Sequence, residues 1–288
     1  MTQALLGQLT VGLINGSFYA LLSLGLAIIF GLLNVVNFAH GAQYMLGAFL
    51  AWMGLTYLGV GYWVALVAAP VAVGALGVVV ERVLLRRLYG LDNLYGLLLT
   101  FGLALVVEGL FQHAYGISGN AYPVPEALRG GLRLGFMFLP VYRVWVILAS
   151  AAVCLGSWLV IERTRLGAYL RAGTENPRLL QAFGVNVPLM FTLTYGFGAA
   201  LAAFAGVMAA PVYQVTPAMG SSIIIVVFAV VVIGGMGSIA GSIVTGVALG
   251  LLEGLAKFFW PQASGTVVFL VMALVLLVRP AGLFGRER

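Results

Sequence analysis

Charged residues are scarce in this sequence, and their scarcity excludes an ordinary water-soluble globular protein. Only 8% of the 288 residues are Asp, Glu, Lys or Arg, while 62% are hydrophobic. Soluble domains carry about 25% charged residues, and so few charges cannot cover a surface that faces water. Lipid must therefore be the solvent for most of the exterior, and we predict an integral membrane protein.

Cysteine pairs, metal-ligand clusters and catalytic groups are also lacking. The single cysteine, Cys154, has no partner for an internal disulfide. His40 and His113 have no Cys or carboxylate set near them at metal-ligand spacing. No two acids form an evident pair, and the phosphate-binding pattern G-x-x-x-x-G-K-[ST] does not occur. We therefore predict that the chain is not an enzyme and has no catalytic residues, no metal and no cofactor of its own.

The few charges divide the chain into long apolar stretches. Asp, Glu, Lys and Arg are absent before Glu81 and again between Arg178 and Glu253. Since one crossing takes about 20 residues, each stretch has room for three. Windows at 93–112, 144–160 and 258–278 fit one crossing each. The predicted fold class is all-α, a polytopic transmembrane helix bundle of about eight or nine spans with broken helices, and residues 1–288 are predicted to form one transmembrane domain.

The basic residues give the bundle an orientation. They stand in small groups at the ends of apolar runs, and cytoplasmic loops collect Lys and Arg. Because they form no continuous face, we exclude nucleic acid as the partner of a chain with net charge +6. The loop at 113–139 is then on the outer side, and its turn residues are compatible with a short hairpin. Three groups are assigned to the cytoplasm: Arg82, Arg86 and Arg87; Arg163, Arg165, Arg171 and Arg178; and Arg279, Arg286 and Arg288.

Two interruptions fall within the apolar stretches. Residues 34–44 include two Asn and one His, which are costly in hydrocarbon unless they face a cavity or a partner. A helix broken there would expose backbone groups that can bind a zwitterion, and an ordinary loop is the alternative. The glycine-rich residues 232–242 predict a kink or break between two membrane helices. The run of Gly and Ala at 196–206 predicts tight helix packing.

The polar segment at 162–188 is predicted to contain a short cytoplasmic helix. Asn176 can cap its first turn, Pro177 suits the first helical position and Gly184 can end it. Such a helix suits docking into a groove on a partner protein, and a connector folded back on its own bundle is the alternative. The apolar side chains that would make this contact are Leu179, Leu180 and Phe183.

Several stretches of the sequence match motifs of one known family. They are Gly16-Ser17-Phe18-Tyr19-Ala20-Leu21-Leu22-Ser23-Leu24-Gly25-Leu26, Asn37-Phe38-Ala39-His40-Gly41, Tyr44-Met45-Leu46-Gly47-Ala48, Thr164-Arg165-Leu166-Gly167, Glu175-Asn176-Pro177, Gly184-Val185-Asn186-Val187, Gly234-Gly235-Met236-Gly237-Ser238 and Arg279-Pro280-Ala281-Gly282-Leu283-Phe284-Gly285. These stretches resemble the LivH-type permeases, which are membrane subunits of ABC importers for branched-chain amino acids. The family often has an acidic residue after the His-Gly pair, where this chain has Ala42, and related permeases for urea and short amides share much of the pattern.

The resemblance implies a permease domain in a bacterial-type inner membrane that carries branched-chain or other apolar amino acids inward. It also implies cytoplasmic ATP-binding subunits that bind and hydrolyse ATP, a second permease (related or identical) and a periplasmic substrate-binding protein. The predicted substrate-pathway residues are Asn37, His40, Gly41, Tyr44, Gly235 and Gly237. The predicted ATPase-coupling residues are Arg165, Glu175, Asn176, Pro177, Leu179, Leu180 and Phe183, on a coupling helix at 175–183.

Three alternatives stay open on the sequence alone. The same architecture can carry urea or a short amide, so the cargo is not fixed. An ion-driven secondary transporter would need acids within the membrane, for which Glu108 and Glu253 are the candidates. A purely structural membrane subunit would have no residue that alters selectivity.

Overall fold

A computed structural model describes residues 2–33, 36–89, 91–133, 135 and 137–285. Two positions of the first interruption, Asn34 and Val35, lie outside the described residues, as do Arg286 and Arg288 of the third arginine group.

Helices dominate the described part of the chain. The described residues form eleven α-helices and one antiparallel hairpin, whose two strands pair from Gly131↔Pro140 to Arg133↔Phe138. The elements are α1 (Thr2–Leu33), α2 (Ala39–Leu58), α3 (Tyr62–Val83), α4 (Asn93–Tyr115), β1 (Gly131–Arg133), β2 (Phe138–Pro140), α5 (Val141–Arg163), α6 (Arg165–Glu175), α7 (Pro177–Ala182), α8 (Val187–Ala209), α9 (Met219–Gly234), α10 (Ile239–Phe259) and α11 (Val267–Val278).

Helices occur at all nine predicted span positions, which confirms the predicted fold class. Within the described residues, α1, α3, α4, α5, α8 and α10 are long and apolar enough to cross a membrane. The apolar helices α9 and α11 are shorter, with 16 and 12 residues. The 20-residue α2 is long enough but less apolar, because it carries His40, Gln43 and three glycines.

The chain divides into two compact units, each built from separated segments. The first unit comprises Met1–Leu24, Pro123–Leu155 and Ile225–Arg288, and the second comprises Gly25–Tyr122 and Gly156–Ile224. The prediction of a single domain stays a prediction.

In the second unit, α8 packs against α2 and α3, and small residues make the approach possible. A Cβ atom on Gly47 of α2 would lie 2.5 Å from Ala203 Cα on α8. A Cβ atom on Gly77 of α3 would lie 2.8 Å from Ala199 Cβ, also on α8. The prediction that the small residues at 196–206 serve tight helix packing is confirmed.

In the first unit, glycines bring α1 and α10 into backbone contact. A Cβ atom on Gly12 would lie 2.5 Å from Gly250 O, and one on Gly16 would lie 3.0 Å from Val247 O. The two α1 glycines are four residues apart, the spacing that lets membrane helices approach closely. In the same unit, one apolar cluster joins α9, α10 and α11 through Ile233, Leu249 and Val268.

Candidate substrate pathway and coupling segment

The predicted pathway residues of the first interruption lie at the start of α2, in the second unit. Asn37 and His40 are buried, with 1% and 0% of their surface exposed, and Tyr44 is buried as well. The helix break between Leu33 and Ala39 is thus confirmed, but its polar side chains are enclosed by protein rather than placed on an exposed loop. Their assignment to the substrate pathway stays a prediction.

Thr100 of α4 bonds the backbone groups that the break leaves free. Its Oγ1 accepts a hydrogen bond from the Phe38 N–H at 3.2 Å. The same hydroxyl is within donating distance of Val36 O at 3.2 Å and Leu97 O at 3.0 Å. Because buried backbone groups need partners, this threonine stabilises the break, and these two groups are not left over for a zwitterion.

Tyr195 of α8 connects the polar side chains around the break. Its hydroxyl donates to Asn37 Oδ1 at 3.3 Å and accepts from Gln43 Nε2 at 3.2 Å. Among the described residues, nothing hydrogen-bonds Asn37 Nδ2 or Gln43 Oε1. Sequence reasoning missed Tyr195 because it lies far along the chain, within an apolar helix.

Close backbone approaches fix the position of this part of α2. A Cβ atom on Gly41 would lie 2.5 Å from Gly220 O, in the first turn of α9. Gly25 of α1 leaves room for the His40 ring, because a Cβ atom there would lie 2.9 Å from His40 Cε1. Gly41 therefore has a packing role that is independent of any role in transport.

The other two predicted pathway residues, Gly235 and Gly237, lie in the first unit, in the turn between α9 and α10. Both have positive φ, at 99° and 88°, a region that favours glycine. Ser238 then caps α10 by accepting a hydrogen bond from the Gly241 N–H at 3.1 Å. The predicted break between two helices is confirmed.

The chain segment after α11 covers this turn. The Leu283 N–H donates to Ile233 O at 2.8 Å, and the Phe284 N–H donates to Gly234 O at 3.2 Å. A Cβ atom on Gly235 would lie 2.8 Å from Gly285 Cα. Two stretches that carry the family resemblance thus pack on each other. This close packing explains why position 235 is a glycine, and the pathway role of Gly235 stays a prediction.

The predicted coupling segment folds as two helices, α6 and α7, in the second unit. The start of α7 is confirmed, because Asn176 Oδ1 accepts a hydrogen bond from the Leu179 N–H at 3.0 Å and Pro177 is the first helical residue. Gly184, with a φ of 82°, follows its end. The coupling helix predicted at 175–183 is shorter, at Pro177–Ala182, because Glu175 closes α6.

Burial separates the predicted coupling residues into an outer and an inner set. Leu180 is buried, and its Cδ2 would lie 3.5 Å from a Cβ atom on Gly173 of α6, so this side chain anchors α7 to its own unit. The prediction that Leu180 is exposed is wrong for this reason. The other six are exposed: Arg165, Glu175, Asn176, Pro177, Leu179 and Phe183, with Leu179 at 55% and Phe183 at 78%.

Glu81 connects α3 to α8 and was not singled out by the sequence. It is fully buried, and it accepts hydrogen bonds from Tyr89 at 2.8 Å and Thr192 at 2.6 Å. Burial and the adjacent Glu81 carboxylate raise the pKa of the Tyr89 hydroxyl, so it remains a donor at neutral pH. Thr192 lies early in α8, which directly follows the coupling segment.

We predict that Thr192→Val destabilises the protein, because a buried carboxylate oxygen loses a hydrogen-bond donor at a cost of about 1–3 kcal/mol. The measurement is the thermal midpoint of the purified protein in detergent. Thr194→Val is the matched control, because the hydrogen bond that the Thr194 hydroxyl makes with a described residue is donated to Met190 O of its own helix. Equal midpoints for the two variants would contradict the role given to Glu81.

These observations define a class of protein: a multi-pass membrane protein made of apolar helices, with enclosed polar groups at a helix break and a short helix that presents apolar side chains outward. Residues 8–278 match the family model described as the permease component of branched-chain amino acid transport systems. The chain belongs to this family.

Individual relatives agree with the family match. The chain is 32% identical to the high-affinity branched-chain amino acid transport system permease protein BraD of Pseudomonas aeruginosa, over 98% of this chain and 96% of that protein. It is 30% identical to the corresponding LivH protein of Escherichia coli, with the same coverage. It is also 26% identical to the LivM permease of Escherichia coli, over 94% of this chain and 68% of that protein. No solved structure matches the chain.

Proposed function

We propose that this chain is the permease subunit of an ATP-driven importer that moves branched-chain or other apolar amino acids into the cytoplasm. The observation that carries the proposal is the family match over residues 8–278. Two relatives named as branched-chain amino acid permeases cover nearly the whole chain, which supports this choice of cargo.

The proposed energy input enters through α7. Leu179 on α7 and Phe183 directly after its end are exposed, as suits docking into a groove on a cytoplasmic ATP-binding subunit that binds and hydrolyses ATP. A movement of α7 would pass to α8 through the short connection at 183–186 and then to α3 through Glu81 and Thr192. The chain itself supplies no chemistry in this scheme; it supplies a pathway that changes shape.

The remaining partners follow from the same proposal. A periplasmic binding protein delivers the amino acid, and a second permease completes the pathway in the inner membrane. The likeness to the LivM permease supports a related chain rather than an identical one as that second permease.

Uptake into proteoliposomes tests the proposal. The chain is purified with its partner subunits, reconstituted, and supplied with binding protein, ATP and labelled leucine. We expect leucine uptake that requires ATP and that unlabelled isoleucine suppresses, whereas urea and acetamide do not. Suppression by urea would favour the amide permease, and uptake driven by an ion gradient without ATP would favour a secondary transporter; either result overturns the proposal.

A further inference from the structure

The second unit contains a small cavity beside the start of α2, with a volume of about 50 Å³. Its walls come from α2, α4 and the region around the start of α9. Most of the walls are apolar, and Phe38, Met45, Phe101, Leu105 and Ile224 are the largest of these side chains. Ligand sites usually have this composition, with a few polar groups fixing the orientation of the ligand.

Among the described residues that line the cavity, Glu108 is the one with a carboxylate. It lies within α4, a helix that is apolar enough to span a membrane. Its Oε1 accepts a hydrogen bond from the Ser221 hydroxyl at 3.3 Å, and no cation among the described residues lies within ion-pair distance of it. A carboxylate can accept about four hydrogen bonds, so Glu108 retains capacity for a cationic donor.

The other acids of the apolar helices have protein partners. Glu253 of α10 forms an ion pair with Lys257 at 2.5 Å and accepts a hydrogen bond from Tyr19 at 2.7 Å. Glu81 accepts hydrogen bonds from two hydroxyls. Glu162, at the end of α5, forms an ion pair with Arg171 at 3.3 Å. A membrane-embedded acid is costly unless it is paired or serves a ligand. Of these four acids, Glu108 is the one that has a single neutral donor and a cavity beside it.

We propose that Glu108 binds the ammonium group of the transported amino acid while the apolar cavity walls contact its branched side chain. An ammonium group brings three N–H donors and a positive charge to pair with the Glu108 carboxylate. A cavity needs roughly 10–15 Å³ of such volume to hold one water molecule. The volume of about 50 Å³ therefore admits a group larger than water, such as the branched end of a side chain next to Glu108. This inference rests on the proposed function, because it assigns a binding site for that cargo.

Photolabelling tests the site directly. A diazirine analogue of leucine is added to the reconstituted transporter, irradiated, and located by mass spectrometry. We expect labelled peptides from 38–45 and 101–108, and suppression of that labelling by excess leucine but not by 4-methylpentanoate, which lacks the ammonium group. Glu108→Gln should reduce the labelling roughly tenfold or more, the effect of losing one charge-assisted hydrogen bond. The matched control Glu253→Gln removes an acid from another apolar helix and should leave the labelled peptides unchanged.

A second variant keeps the test informative if Glu108→Gln fails to fold. Ala104→Leu adds bulk to the cavity wall and should prevent labelling and leucine uptake. Gly102→Leu adds bulk to the same helix where no atom lies within 4 Å, so it should retain both. Labels elsewhere on the chain, equal labelling of Glu108→Gln, or equal competition by 4-methylpentanoate would overturn the site. Uptake by the wild-type transporter distinguishes failure of the site from failure of the proposed function. Leucine uptake together with labels elsewhere on the chain would overturn the Glu108 site and leave the proposed cargo standing. Uptake of urea instead of leucine would overturn the proposed cargo.

Discussion

A transporter that carries Phe183→Asp should lose ATP-driven leucine uptake by at least roughly tenfold, although the chain still inserts and folds. Phe183 is 78% exposed beside α7, so the substitution removes no contact from the core. In the complex, the new carboxylate would have to enter an apolar groove on the ATP-binding subunit, where an unpaired charge costs several kcal/mol. Since about 1.4 kcal/mol is a factor of ten in an equilibrium constant, docking should be largely lost.

The measurement is leucine uptake into proteoliposomes, normalised to the amount of monodisperse permease. Leu179→Asp should behave in the same way, because Leu179 is also exposed on α7. Ile117→Asp is the control: it places the same charge on another exposed apolar residue, 81% accessible, in the loop predicted to be on the outer side. Normal uptake by the two α7 variants would rule out this helix as the coupling contact.

The parts of this segment that the sequence predicts correctly depend on local chemistry. Asn176 caps α7 through its own side chain, Pro177 occupies the first helical position and Gly184 has the positive φ that follows the helix end. Each of these effects acts within a few residues and is therefore visible in a sequence. The positions of the helices in the predicted spans are visible for a related reason, because a span needs its own run of apolar residues.

The burial of Leu180 is different, because it depends on residues brought there by folding. Leu179 and Leu180 are equivalent as sequence letters, but the geometry of α7 directs Leu180 towards Gly173 of α6 and leaves Leu179 exposed. The helix α6 was also not predicted. It is polar and contains glycine and threonine, and its stability comes from packing its buried side against the unit rather than from helix propensity.

The polar contacts around the first helix break also could not be predicted from the sequence, because they join residues that are far apart along the chain. The residues at 34–44 indicate a break, but nothing near them indicates that Thr100 bonds its backbone or that Tyr195 joins Asn37 to Gln43. Threonine and tyrosine are ordinary residues in apolar helices, so their partners become evident only when the helices are placed side by side. The isolated charges are an exception. Glu108 stands out in the sequence as an acid within an apolar helix, and the structure adds the cavity beside it.

A Gly47→Val variant should be severely destabilised, because α2 and α8 touch through their backbones at this position. The added Cβ atom would lie 2.5 Å from Ala203 Cα, and neither backbone can give way without separating the helices. Overpacking a core costs about 1–3 kcal/mol when side chains can adjust, and a backbone obstacle should cost at least as much. We expect the thermal midpoint in detergent to fall by roughly 5 °C or more, or the monodisperse protein to be lost.

Gly109→Val is the matched control, because it makes the same change in α4 where no atom lies within 4 Å; it should melt near the wild-type temperature. Gly206→Val approaches the same contact from the other helix, since its Cβ atom would lie 2.9 Å from Ala48 N, and it should reproduce the loss. The smaller change Gly47→Ala adds one methyl group and should fall between the two. Because α2 also carries His40 and Tyr44, a Gly47→Ala protein that still folds should transport more slowly, whereas full stability and full uptake in Gly47→Val would show that α2 and α8 do not need this close contact.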